Sequence, residues 1–179
     1  YLTEIKEVIK RSTFTYVRQK KMLGLGDAIL SGEPLIGNEA FAVHLADDLC
    51  VNSADSVMLQ LTRIYEKYQC SIIAIEEVSM DQTDKYGIIA GNLLNDTSDC
   101  YLVTDMVEKP SKKNAPSNMA IIGRYILTPD IFNILKQIKP GINGEIQITD
   151  ALNIQAKQGK VIAYKFKGRR FDCGSLSGY

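Results

Sequence analysis

The segment Asp105-Met106-Val107-Glu108-Lys109-Pro110 sets an acid beside a base at the end of a strand-like run. The proline then stops ladder pairing and turns the chain away. A carboxylate such as Glu108 accepts hydrogen bonds from neutral hydroxyls, while the Lys109 ammonium is a compact charge suited to a phosphate oxygen. That pairing fits a sugar phosphate. Taken alone, such a dipeptide is more often a solvated ion pair at a strand end, so the decision rests on what accompanies it.

Other residues could do related chemistry. Val17 to Ala28 reads as a strand end, a basic loop with Arg18, Lys20 and Lys21, then Gly24 and Gly26 before a helix. Glycines let a backbone approach a ligand closely, and a helix start offers unpaired amides to anionic or carbonyl oxygens. A nucleotide fits there, although an ordinary strand-to-helix turn gives the same letters. The apolar run from Phe41 leads into Asp47 and Asp48. Ligands of α/β sheets gather beyond strand ends, so Asp47 is a candidate for holding a hard divalent ion; a cap or turn is the competing use. In Lys85-Tyr86-Gly87 the glycine amide is placed to reach a sugar hydroxyl, or the glycine makes a bulge. Asp172 follows a late strand and is flanked by Lys167, Arg169 and Arg170, which read as a solvated basic face. His44, the single histidine, lies inside a strand and reads as a core or sheet-face residue.

The elements that position these groups alternate between helical and strand-like patterns, which favours an α/β fold on a mostly parallel sheet. Strand candidates are 14–18, 41–45, 71–78, 86–90, 103–108 and 161–167. Helical spacing appears over 26–36, over 57–68 through Val57, Leu61, Ile64, Tyr65 and Tyr68, and over 149–158 up to Gly159. Thr128-Pro129-Asp130 opens another helix, with the threonine as cap. The region around 86–108 reads as an antiparallel insertion.

At 179 residues the chain has the length of one domain, 1–179. Both ends are expected to be cut, since Tyr1 starts inside an amphipathic helical pattern and Tyr179 lies just past a turn. Lys plus Arg and Asp plus Glu number 21 each, so no strong pull on nucleic acid or anionic membrane is expected. Cys50, Cys70, Cys100 and Cys173 lack paired spacing, which argues against zinc and for reduced thiols in the cytoplasm.

The ordered set Val17-Arg18-Gln19, Gly24-Leu25-Gly26, Leu45-Ala46-Asp47-Asp48, Lys85-Tyr86-Gly87, Val107-Glu108-Lys109-Pro110, Ala115-Pro116-Ser117-Asn118, Ile122 to Leu127, Gly144 to Asp150 and Asp172-Cys173-Gly174 resembles the bacterial UTP:glucose-1-phosphate uridylyltransferases, or UDP-glucose pyrophosphorylases. The resemblance covers nearly the whole chain. It implies the Rossmann-like nucleotide-diphospho-sugar transferase fold, a mixed, mostly parallel sheet flanked by helices. It implies that Gln19 and the Gly24 backbone read uracil, and that Asp47 coordinates Mg²⁺ with Asp172 near the same metal. It also implies that Gly87 and Glu108 hold glucose hydroxyls and that Lys109 holds the sugar's phosphate. Asp47 and Lys109 would then carry the chemistry. The substrates and products would be UTP, glucose 1-phosphate, UDP-glucose and pyrophosphate, in a homo-oligomer. The family's Gly-x-Gly-Thr-Arg loop and Pro-Lys-Glu segment have no counterpart in these residues, and His44 stands where an aliphatic residue is expected.

Three other readings compete with this one. A related sugar-1-phosphate nucleotidylyltransferase would use dTTP or a different sugar, a non-catalytic regulator would bind nucleotide sugar without turning it over, and a structural α/β interaction module would carry its charged loops only as solvated surface.

Overall fold

The computed structural model describes residues 2–141 and 144–174. In chain order it has helices α1 (Leu2–Lys10), α2 (Leu25–Ser31) and α3 (Glu33–Ile36), then strands β1 (Phe41–His44) and β2 (Asp48–Val51). Helix α4 (Val57–Tyr68), strand β3 (Ser71–Glu77) and a 3-10 helix (Met80–Lys85) follow, then β4 (Gly87–Leu93), β5 (Cys100–Glu108) and β6 (Met119–Leu127). The last elements are α5 (Asp130–Leu135), α6 (Ile148–Lys157), β7 (Val161–Lys165) and β8 (Arg169–Asp172).

Six strands form one mixed sheet in the order β1-β6-β3-β7-β5-β4, while β2 and β8 make a separate two-stranded ribbon. The sheet is less parallel than the alternating pattern suggested: β3–β7 is its one parallel pairing among the described residues. The other pairings run antiparallel. The reason lies in the connections. A short turn joins β4 to β5 and can only reverse the chain, whereas parallel neighbours need a long crossover. Ala120 on β6 pairs with both Glu76 and Ile88, so β4 lies along the same edge of β6 as β1.

Period-two alternation on β3 splits its side chains between two cores. Ile72 and Ala74 pack with Val57 and Leu61 of α4 on one face, and Ile73 and Ile75 pack with the cluster of α2, α5 and α6 on the other. Helix α4 forms because its apolar residues recur at helical spacing and because Ser56 caps it, accepting the Leu59 amide at 3.2 Å. Full burial of Leu61 and of Leu152 on α6 contributes about 2 kcal/mol each. These layers fix the sheet against which the loops are set.

Three expectations change. Residues 14–18 form no strand, because their β-prone side chains find no ladder partner and remain exposed. Pro129, not Thr128, takes the cap position of α5. The Thr128 hydroxyl is instead engaged by Ser71 and by Gln155, whose amide donates to it at 3.1 Å. The last strand stops at Lys165 and the chain then makes β8, pinned by pairing with β2. No described helix is long and apolar enough to cross a membrane.

Candidate active site

The carboxyl end of β5 delivers Glu108 and Lys109 to a pocket of about 620 Å³. Lys109 adopts φ 46°, a left-handed conformation that L side chains adopt only against steric cost. It is held there from both sides. Pro110 follows it, and the Lys109 amide donates to the Tyr86 carbonyl at 3.0 Å. Beside it, the Thr149 hydroxyl donates to Glu108 Oε2 at 2.5 Å. This fixes the carboxylate through Oε2, and among the described residues no hydrogen bond engages Oε1. Gly87 pairs with Glu108 across β4 and β5. A Cβ at Gly87 would stand 3.1 Å from Glu108 Oε2, Thr149 Oγ1 and Ile121 Cδ1, so only glycine lets this backbone come so near the acid.

The opposite wall comes from the ribbon. The Cys173 amide donates to the Asp47 carbonyl at 2.7 Å, which draws the turn after β1 against the end of β8. Asp47 Oδ2 and Asp172 Oδ1 lie 3.4 and 3.2 Å from the position a Cβ on Gly174 would occupy. Two carboxylates thus border one small gap that a side chain would fill. Among the described residues no three His, Cys, Asp or Glu side chains form a metal cluster by themselves. Two carboxylate oxygens with the remaining positions left to water and phosphate is the donor set Mg²⁺ ordinarily takes, so the residues present fit that ion.

Asp172 is tied down by three donors: Tyr86 hydroxyl at 2.9 Å and Arg170 at 3.0 Å on Oδ2, and the Gly174 amide at 3.1 Å on Oδ1. Partial burial pushes its pKa up, but these hydrogen bonds and the Arg170 charge outweigh that and hold it below the ordinary carboxylate value. Burial raises the Tyr86 phenol, with Asp172 adding to the rise and Arg170 opposing it. The reading of Arg170 as part of a solvated face is overturned. Its side chain is 8% exposed and pairs with Asp48, Glu76 and Asp172. The physical reason is the strand period: on β8 Arg170 and Asp172 share a face, and that face meets β2 and β3 rather than water.

The structure gathers Asp47, Gly87, Glu108, Lys109 and Asp172 around one pocket. It sets Gln19 and Gly24 beside that lining. Gln19 Nε2 donates to the Gly24 carbonyl at 3.2 Å and to Asp27 at 2.7 Å, and the neighbouring Leu25 reaches the pocket wall. Gly24 has φ 90°, and the loop is docked by mutual bonds, Gly26 amide to Ile146 carbonyl at 2.8 Å and Ile146 amide to Leu23 carbonyl at 2.7 Å. His44 is an exposed residue of the edge strand β1, as the sheet-face reading had it. Among the described residues all four cysteines are unbridged. Asp48, Thr149 and Arg170 were missed as site residues. None of the three gave a signal short of the fold; on β2 the apolar Leu49 and Val51 are the exposed phase and Asp48 the buried one, the reverse of what the letters suggest.

With this geometry in hand, kinship is decisive. Residues 2–179 match the family described as nucleotidyl transferase. The chain belongs to that family. A UTP–glucose-1-phosphate uridylyltransferase of Pseudomonas aeruginosa is 59% identical over 180 residues, covering 100% of this chain and 64% of the relative. One from Mycoplasma genitalium is 43% identical, covering 98% of this chain and 60% of the relative. A crystal structure of UDP-glucose pyrophosphorylase complexed with UDP-glucose matches with a TM-score of 0.96 at 60% identity, over 99% of this chain and 67% of the other. The nucleotidyl transferase fold, α/β with a mixed sheet between helices, is therefore established. The chain spans about 64% of the length of the first of these relatives.

Proposed function

We propose that the intact protein is a UTP:glucose-1-phosphate uridylyltransferase that forms UDP-glucose and pyrophosphate, and that residues 1–179 belong to its single catalytic domain. The observation that carries this reading is the pocket shared by Asp47, Gly87, Glu108, Lys109 and Asp172, with an acid and a base on one side and a carboxylate pair on the other. The names of the relatives at 59% and 43% identity support the same choice of nucleotide and sugar.

The reaction brings two anions together. The phosphate oxygen of glucose 1-phosphate attacks the α-phosphorus of UTP in line, pyrophosphate leaves, and no protein nucleophile is required. Lys109 offsets the repulsion by holding the sugar's phosphate within reach. Glu108 Oε1 and the Gly87 amide accept from and donate to glucose hydroxyls, which sets the angle of attack. Gln19 and the Gly24 backbone hold the uracil ring; the Gln19 amide turns from Asp27 to the base. Mg²⁺ held by Asp47 and Asp172 would supply charge neutralisation on the phosphates. The unbridged cysteines support a reducing, cytoplasmic setting.

Pyrophosphate release by the intact protein, measured over a panel of nucleoside triphosphates and sugar 1-phosphates, tests the proposal. UTP with glucose 1-phosphate is expected to be the preferred pair, and Asp47→Asn is expected to lower its turnover by at least about a hundredfold. A preference for dTTP, or turnover unchanged by Asp47→Asn, overturns the corresponding part.

A further inference from the structure

Asp47 and Asp48 are adjacent in sequence, and nothing in their chemistry says which one faces the ligand. Their surroundings do. Asp48 is 6% exposed, and both of its oxygens are taken: Oδ2 accepts the Gly123 amide at 2.5 Å and Oδ1 pairs with the Arg170 Nε. The same guanidinium uses a second nitrogen on Glu76 at 2.6 Å and a third on Asp172 at 3.0 Å. It also stacks over the Tyr86 ring at 4.9 Å, and the Tyr86 hydroxyl completes the hold on Asp172.

From this we infer that Arg170 is the positioning residue of the carboxylate wall: by pairing with buried Asp48 and with one oxygen of Glu76 while holding Asp172 through Oδ2, it leaves Asp172 Oδ1 at the gap beside Asp47, where the two can be presented to a cation. Only a guanidinium does this, because its fork carries separate donors in fixed directions. A lysine ammonium at the end of a flexible chain reaches fewer of these acceptors together. Without the guanidinium, Asp48 is a buried carboxylate with one oxygen unpaired, and Asp172 loses one of its two side-chain donors. Three carboxylates around one cation also leave a surplus of negative charge, which a divalent ion at the neighbouring gap offsets.

This inference rests on the proposed metal reading, and the experiment separates the two. Mn²⁺ binding to the intact protein is followed by the electron paramagnetic resonance signal of free Mn²⁺, with UDP-glucose present, for wild type, Arg170→Lys, Arg170→Met and Tyr86→Phe. Wild type is expected to bind one Mn²⁺. Arg170→Lys is expected to weaken binding about tenfold, and Tyr86→Phe about twofold to threefold, while both keep the wild-type near-ultraviolet dichroism. Arg170→Met is expected to weaken it further if it folds; if it does not, the other two variants decide. Folded Arg170→Lys with wild-type Mn²⁺ affinity overturns the role of Arg170 and leaves the metal reading standing. Absence of Mn²⁺ binding by wild type overturns both.

Discussion

Replacing Lys109 by glycine should raise stability and lower activity in the same molecule. Lys109 sits at φ 46° immediately before Pro110. A left-handed conformation costs an L residue about 1–2 kcal/mol, and a following proline narrows the choices further. Glycine removes that cost but makes the unfolded chain more flexible, which gives back about 0.5–1 kcal/mol. The net gain is about 0.5–1 kcal/mol, a rise in Tm of about 2 °C for a chain of this size. On the role proposed for Lys109, losing the ammonium removes a charge-assisted hydrogen bond to the sugar's phosphate, about 1.5–3 kcal/mol, so kcat/KM for glucose 1-phosphate is expected to fall about tenfold to a hundredfold. Lys109→Ala is the control: it loses the charge and keeps the strain, so it should match glycine in activity and fall below it in Tm. Calorimetric melting and initial rates on the three proteins settle the matter. A glycine variant that melts no higher than the alanine variant refutes the strain argument, and undiminished kcat/KM refutes the phosphate contact.

Gly26→Ala places a Cβ 2.6 Å from the Ile146 carbonyl and 2.9 Å from Leu135 Cδ2. Backbone cannot move aside cheaply, so urea unfolding should report a loss of about 1–3 kcal/mol. Gln19→Ala should blunt discrimination between UTP and other nucleotides in a competition assay, with little effect on folding. His44 has its pKa held below the ordinary 6.5, first by partial desolvation of its ring and then by the Arg124 charge. The unfolded chain therefore takes up the proton first as pH falls, so the wild type loses stability on acidification through the window below 6.5. His44→Gln should flatten that part of the urea-midpoint profile, and an unchanged slope would sink the assignment.

Much of the site was legible because single segments carried it. Glu108, Lys109 and Pro110 announce a strand end, and Val57 to Tyr68 and Ser71 to Glu77 announce themselves by period. The turn into α2 was readable from Gly24 and Gly26. What could not be read is long-range pairing. Arg170 finds Asp48 across 122 residues and Glu76 across 94, and four-residue strands such as β2 and β8 are too short to impose a pattern. Their polar residues look solvated until the ribbon is folded over the sheet. Residues 14–18 erred in the other direction, since β propensity without a neighbouring edge makes no strand. The excess of antiparallel pairing was equally hidden, because a sequence shows which segments are strands before it shows which edges meet.

The ribbon also sets the order in which a nascent chain can close its pocket. Glu108, Lys109 and Gly87 belong to paired neighbours β4 and β5, so the backbone of that side of the pocket is made early and waits only on Thr149 of α6 and the β7 pairing to be held. The carboxylate side waits longer. Asp47 is drawn into place by the Cys173 amide, and Asp172 sits on β8, so both wait for residues synthesised near the end of this stretch. A polypeptide stalled before β8 would emerge with a half-built pocket, its Asp47 turn undocked and the Asp172 carboxylate not yet made.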